Sequence, residues 1–214
     1  MKKYRYILFD LDGTLTHSHP GIHGCIRYTL KEMGREVPPR EELKSFIGPP
    51  LYDEFRRKFD MSHDEATEAV RLYRVYYPEQ GLYETELIDG TEQLLAALKM
   101  RQRRICLATC KPEPYAREIL RHFGIDGYFD LVGAAALDGS ISTKAQVLRQ
   151  VLSKTGAAPE ECVLIGDRMH DIVGAHEVGM KCAAVRVGFG SDEEFEEYGA
   201  DYILDTLIDV LKIV

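Results

Sequence analysis

The sequence predicts an α/β fold, a doubly wound parallel sheet with an all-helical insertion after its first strand. Three observations predict it. Short, unbroken apolar runs recur through the second half of the chain, stretches of helical apolar spacing separate them, and one long N-terminal region shows helical spacing without a strand signal.

The first strand is Tyr6-Ile7-Leu8-Phe9, continuous in apolar character, as expected of a strand covered on both faces. From residue 16 to residue 87 the pattern changes. Ile22, Ile26, Leu30 and Met33 repeat at helical spacing, followed by Leu51, Phe55 and Phe59 and then by Ala66, Ala69, Val70 and Tyr73. Gly34, Pro38-Pro39 and Gly48-Pro49-Pro50 punctuate these helices, and no strand is expected among them. The domain expectation is therefore an α/β core of residues 1–15 and 88–214, interrupted by a helical unit of residues 16–87. Within the core, Ile105-Cys106-Leu107-Ala108, Cys162-Val163-Leu164-Ile165 and Cys182-Ala183-Ala184-Val185 read as buried strands. Helices are expected over Pro112 to Phe123, Thr143 to Lys154 (apolar stripe Leu148, Val151, Leu152) and Met169 to Val178.

Composition narrows the function. With 45% hydrophobic and 29% charged residues in 214, the chain is an ordinary globular protein. A net charge of -8 argues against a basic face for a nucleic acid polymer, though not against a small anionic substrate met by a few local cations. No run approaches the ~20 apolar residues of a membrane span. Met1-Lys2-Lys3-Tyr4-Arg5 leads directly into the first strand, without the longer apolar segment of a signal peptide. The five cysteines, Cys25, Cys106, Cys110, Cys162 and Cys182, form no CxxC pair, which suits reduced thiols and a cytoplasmic location.

The chemistry concentrates at strand ends. Asp10 and Asp12, in Asp10-Leu11-Asp12-Gly13-Thr14, follow the first strand, and residues i and i+2 of an extended chain project to one side. Two carboxylates held together call for a shared cation or proton. Thr109-Cys110-Lys111-Pro112 follows Ile105 to Ala108, Lys144 opens a helix, and Gly166-Asp167-Arg168-Met169-His170-Asp171 follows Cys162 to Ile165. Asp167 and Asp171 share a helical face if a helix starts there. Open α/β sheets bind ligands at such ends.

Each residue also has a plain reading. Asp12-Gly13 is a turn signal, Thr109 a strand end or helix cap, Lys144 a solvated charge, Asp167 a cap and Asp171 a helix-face charge. Lys111 and Arg168 are expected to face solvent. His17, His19 and His23 match no zinc spacing, and Tyr73, Tyr76, Tyr77 and Tyr83 read as core and surface aromatics rather than a base-stacking platform. Cys110 lacks the loop and arginine clamp of a cysteine phosphatase.

With its four motifs in order, an Asp-x-Asp-Gly-Thr start, a Thr or Ser after the second strand, a Lys and a Gly-Asp-x-x-x-Asp, the chain resembles the haloacid dehalogenase superfamily of phosphatases. The helical insertion resembles the cap of phosphoglycolate phosphatases. The loop Phe46-Ile47-Gly48-Pro49-Pro50-Leu51 and the stretch Gly90 to Lys99 are similar to bacterial 5′-nucleotidases of that superfamily. The resemblance implies a Rossmann-like core and a Mg²⁺-dependent phosphatase for a small phosphorylated metabolite, phosphoglycolate or a nucleoside 5′-monophosphate. Asp10 would be the nucleophile and Asp12 the acid and base. Asp10, the Asp12 carbonyl and Asp167 would hold Mg²⁺, with Asp171 behind them. Thr109, Lys144 and the amides of Leu11, Asp12 and Cys110 would bind phosphate. The family often carries an acid where His17 stands, which affects substrate preference rather than core chemistry. The Gly48-Pro49-Pro50 loop either covers the site or is a rigid turn, and hinges are expected near Thr16 and near Leu87 to Gly90. A phosphomutase or other phosphotransferase would use the same core, as would a phosphometabolite-binding protein without turnover. A dehalogenase needs neither Asp12 nor a metal, and a phosphonate hydrolase needs a cap lysine for which Lys31 and Lys44 have no supporting context.

Overall fold

The computed structural model describes residues 4–46 and 50–214. The chain divides into two compact units, one of residues 1–17 and 87–214, the other Ser18–Glu86.

In chain order, the first unit opens with β1 (Tyr6–Phe9) and the two-residue β2 (Thr16–His17). The second unit contains α1 (His19–Glu32), a 3-10 segment Arg40–Phe46, α2 (Leu51–Phe59) and α3 (His63–Tyr76). The chain returns through β3 (Glu86–Leu87) to α4 (Thr91–Met100), β4 (Arg104–Pro112), α5 (Glu113–His122), β5 (Leu131–Ala135) and α6 (Lys144–Thr155). It ends with β6 (Cys162–Gly166), α7 (Met169–Glu177), β7 (Lys181–Val185), α8 (Asp192–Glu197) and β8 (Tyr202–Leu204).

Six strands form one sheet in the order β5-β4-β1-β6-β7-β8, and the pairs of its ladder run parallel. β1 is central, with Phe9 opposite both Leu107 and Ile165. The chain builds outward from β1 first toward β5 and then, on the other side, toward β8. The order reverses at β1, the switch point at which open α/β sheets bind ligands beyond the carboxyl ends of their strands.

Period two explains the core. Tyr6 and Leu8, Cys106 and Ala108, Cys162 and Leu164, and Cys182 and Ala184 share one face, packed with Val147, Leu148 and Val151 of α6 and Ile172 and Ala175 of α7. Ile7, Phe9, Leu107, Val163 and Ile165 alternate with them and are equally buried, so both faces are covered. Each buried aliphatic side chain contributes about 1.5–3 kcal/mol.

The second unit is held by its apolar stripes. Ile22, Ile26 and Leu30 of α1 are buried, as are Leu43, Phe46 and Phe55, and the Phe46 and Phe55 ring centres lie 5.0 Å apart. Ser62 and Glu65 form a reciprocal cap at the start of α3. Tyr73 and Tyr77 are buried and stacked at 5.4 Å, Tyr76 stacks on Tyr28 at 4.5 Å, and Tyr83 is exposed. Gly21 is required by close approach: a Cβ there would collide with the Gly81 carbonyl oxygen.

Several expectations are corrected. The 16–87 region begins and ends in short strands, β2 and β3, which are too brief to leave an alternating pattern. β5 and β8 join the sheet without having been anticipated. Pro112 closes β4 rather than opening α5. Of the Phe46 to Leu51 loop, Ile47, Gly48 and Pro49 lie outside the described residues, and so does any role of that loop over a site. No helix among the described residues is long and apolar enough to cross a membrane.

Candidate active site

β1 delivers Asp10 to the switch point. Its backbone N–H donates to the Ile165 carbonyl at 2.9 Å, continuing the parallel ladder one residue past the strand. The chain then turns: Gly13 adopts φ +86, open to glycine, and a Cβ there would collide with the Asp167 carboxylate.

Lys144 is the first residue of α6. Thr143 caps that helix by accepting from the Gln146 N–H at 3.3 Å, while the Gln146 side chain accepts from the Thr143 N–H at 3.1 Å. The lysine is thereby fixed and almost fully buried. Its Nζ donates to the Ala108 carbonyl at 2.8 Å and forms ion pairs with Asp10 at 2.9 Å and Asp171 at 2.8 Å. Burial alone would lower its proton affinity, but the Asp10 and Asp171 carboxylates outweigh that and hold the ammonium well above the ordinary lysine value.

Asp167 and Asp171 come from the turn between β6 and α7. Asp171 Oδ2 accepts from the N–H groups of Asp167 and Arg168 at 3.1 and 3.2 Å, capping α7. Asp167 is fully buried. It accepts from the Thr14 hydroxyl at 3.2 Å through Oδ1 and from the Phe189 N–H at 2.8 Å through Oδ2. One carboxylate oxygen from each of Asp10, Asp167 and Asp171 lies within 4.8 Å of the others.

Such crowding has an electrostatic signature. Burial, then Asp171 and Asp12, push the Asp10 carboxyl up to about 6, against the opposing pull of Lys144. Burial and the neighbouring Asp171 and Asp10 raise Asp167 well above the carboxylate range. A divalent cation would relieve this repulsion. The donor set consists of carboxylate oxygens without thiol or imidazole, which suits a hard ion such as Mg²⁺.

Asp12 lies outside that carboxylate group and faces Lys111, whose Nζ is 2.7 Å from each of its two oxygens. Lys111 is 8% exposed. The expectation that it faces solvent is therefore wrong, because its ammonium finds the Asp12 carboxylate beyond the end of β1. Arg168 is likewise not solvent-facing: it is half-buried and pairs with Glu194 at 3.0 Å. Thr109 is buried, and its hydroxyl oxygen accepts from the Lys111 N–H at 3.2 Å. Burial pushes the Cys110 thiol up to about 11, so it stays protonated at neutral pH. His17 ends β2, half-buried.

The structure thus brings Asp10, Asp12, Lys144, Asp167 and Asp171 to the carboxyl ends of β1 and β6 and the start of α6, with Thr109 and Cys110 on the last turns of β4. Lys111 is the residue whose burial and partner the sequence did not disclose. It stands two positions after Thr109 on an extended run, the spacing that relates Asp12 to Asp10.

A family model for haloacid dehalogenase-like hydrolases matches residues 7–185. A 5′-nucleotidase of Pseudomonas aeruginosa is 41% identical over 196 residues, which are 92% of this chain and 89% of that protein. The tyrosine-protein kinase PtkA of Mycobacterium tuberculosis is 39% identical over 184 residues, 86% of this chain, which spans 62% of the kinase's length. The crystal structure of a predicted phosphatase from Clostridium acetobutylicum superposes with a TM-score of 0.93 at 37% identity, covering 98% of this chain and 97% of that one.

Proposed function

The chain belongs to the haloacid dehalogenase-like hydrolase family, and we propose that it is a Mg²⁺-dependent phosphatase acting on the monoester of a small phosphorylated metabolite. The observation that carries this reading is the position of Lys144, which touches Asp10 and Asp171 at once while Asp167 completes a three-carboxylate group. Phosphoglycolate and nucleoside 5′-monophosphates are the first substrates to test, and the 5′-nucleotidase relative supports the second.

In this reading Asp10 attacks phosphorus as the ester P–O bond breaks, giving an aspartyl-phosphate, and Asp12 hands its proton to the departing oxygen. Asp12 then takes a proton from the water that hydrolyses the intermediate. Lys144, Thr109 and the amides of Leu11, Asp12 and Cys110 hold the non-bridging oxygens, where charge shifts during transfer. Lys144 also offsets the charge of Asp10, which would otherwise repel the incoming phosphate. Asp10, the Asp12 carbonyl and Asp167 would hold Mg²⁺, with Asp171 orienting Lys144 from behind. The ion supplies charge neutralisation and alignment of the phosphate. The helical unit of residues 18–86 serves as a cap that selects the substrate, and the chain crossings near Thr16 and Leu87 serve as its hinges.

A phosphate-release screen over a metabolite panel tests the proposal. Turnover of a small phosphomonoester with Mg²⁺, lost on adding EDTA and restored by excess Mg²⁺, is expected. Turnover unaffected by EDTA would overturn the metal assignment. The kinase relative favours a second reading, phosphoryl transfer to a hydroxyl acceptor other than water. Phosphorylated acceptor accumulating with little free phosphate would favour it.

A further inference from the structure

Lys111 is a buried cation on the last turn of β4, two residues beyond Thr109, with no part in the chemistry assigned above. The β4–β5 register shifts between Thr109 and Pro112. At that irregularity the Lys111 N–H turns to the Thr109 hydroxyl. Its ammonium reaches both oxygens of Asp12 at 2.7 Å, and only 6% of its side chain is exposed. Donation to both oxygens ties the Asp12 carboxylate to the end of β4, a second tether beside its own backbone.

We infer that Lys111 is a positioning residue for proton transfer, holding the Asp12 carboxyl group at the place from which it serves the leaving oxygen and the attacking water. The inference rests on the phosphatase reading above. Lys111 keeps its own protons throughout. In the first step the Asp12 proton moves to the ester oxygen as its bond to phosphorus breaks and the Asp10–phosphorus bond forms. In the second, a water proton returns to Asp12 as the water oxygen bonds to phosphorus and Asp10 departs. Lys144 orients the group that makes and breaks bonds to phosphorus, and Lys111 the group that moves protons.

A positioning role predicts dependence on the leaving group, which a packing role would not. An alkoxide needs a proton as it leaves, whereas p-nitrophenolate is stable as an anion at neutral pH. kcat/KM reports steps only through the first irreversible one, so it isolates the transfer to Asp10. Lys111→Met should lower kcat/KM for an alkyl phosphate by about 10²-fold while leaving that for p-nitrophenyl phosphate nearly unchanged. Lys111→Arg should restore part of the loss. Combining Lys111→Met with Asp12→Asn should be no worse than Asp12→Asn alone, since the two act as a unit. If Lys111→Met does not fold by circular dichroism, Lys111→Gln, which keeps a donor without the charge, carries the same comparison. Equal losses on both esters, or none on either, would overturn the inference while leaving the phosphatase reading standing. Wild-type protein that hydrolyses neither ester would remove both.

Discussion

Asp10 and Asp12 stand two residues apart and each faces a buried lysine, yet the two pairs are built differently. Lys144 springs from a capped helix start and shares its ammonium among Ala108, Asp10 and Asp171. Lys111 reaches from the irregular end of a strand and grips both oxygens of Asp12. Asp10 belongs to a crowd of carboxylates in which every charge depends on the others. Asp12 has been drawn out of that crowd. In the proposed mechanism the bond-making group gains from a dense, preorganised field, whereas the proton carrier gains from standing apart from it.

The largest test strikes the crowded pair. If Asp10 is the nucleophile proposed above, Asp10→Asn should reduce turnover of p-nitrophenyl phosphate roughly 10⁴-fold or more, with the circular dichroism spectrum unchanged. A normal rate in this variant would break the distinction between the pairs. Next, Lys144→Met should lower kcat by about 10²–10³-fold. It should also lower the unfolding free energy in urea by about 3 kcal/mol, because it strands Asp10 and Asp171 as buried unpaired charges. Stability unchanged by this variant would mean that the network is looser than its distances imply.

A subtler test uses pH. Asp10 titrates near 6 in the folded protein against 3.8 ordinarily, so its contribution is most favourable at low pH and is lost as pH rises through that interval. The amide of the Asp10→Asn variant has no such titration. Without metal, the stability of that variant relative to wild type should therefore rise between pH 4 and pH 7, by up to about 3 kcal/mol. A difference that stays flat would show that Asp10 is not desolvated. The smallest effect belongs to Cys110, whose thiol burial keeps protonated: Cys110→Ser should change kcat within about threefold.

Much of this was legible in the sequence, for physical reasons that differ by element. β1, β6 and β7 are unbroken apolar runs because the sheet buries both their faces, and such runs announce themselves. β5 does not, since Leu131-Val132-Gly133-Ala134-Ala135 is poor in strand-forming residues. Its glycine is there because a Cβ would strike Val151 of α6, a tertiary demand invisible in local pattern. β8 has three residues and lies at the sheet edge. In the site, Asp10, Lys144 and Asp167 were readable as positions because each directly follows a strand or opens a helix. Lys111 was not. Lysines near strand ends are usually solvated, and its partner lies 99 positions away. The same holds for Arg168 and Glu194, which meet only once α8 has folded back beside α7.

Leu15 carries a last implication. Its carbonyl accepts from both the Ile88 N–H at 2.9 Å and the Thr91 hydroxyl at 3.2 Å, so the chain leaves the sheet unit and rejoins it at one spot. The excursion between these residues is topologically a detachable loop. A short glycine-containing turn joining Leu15 to Ile88 would leave every rung of the six-stranded ladder in place. One helical module can therefore be exchanged for another at this junction while the ladder of the sheet unit stays intact.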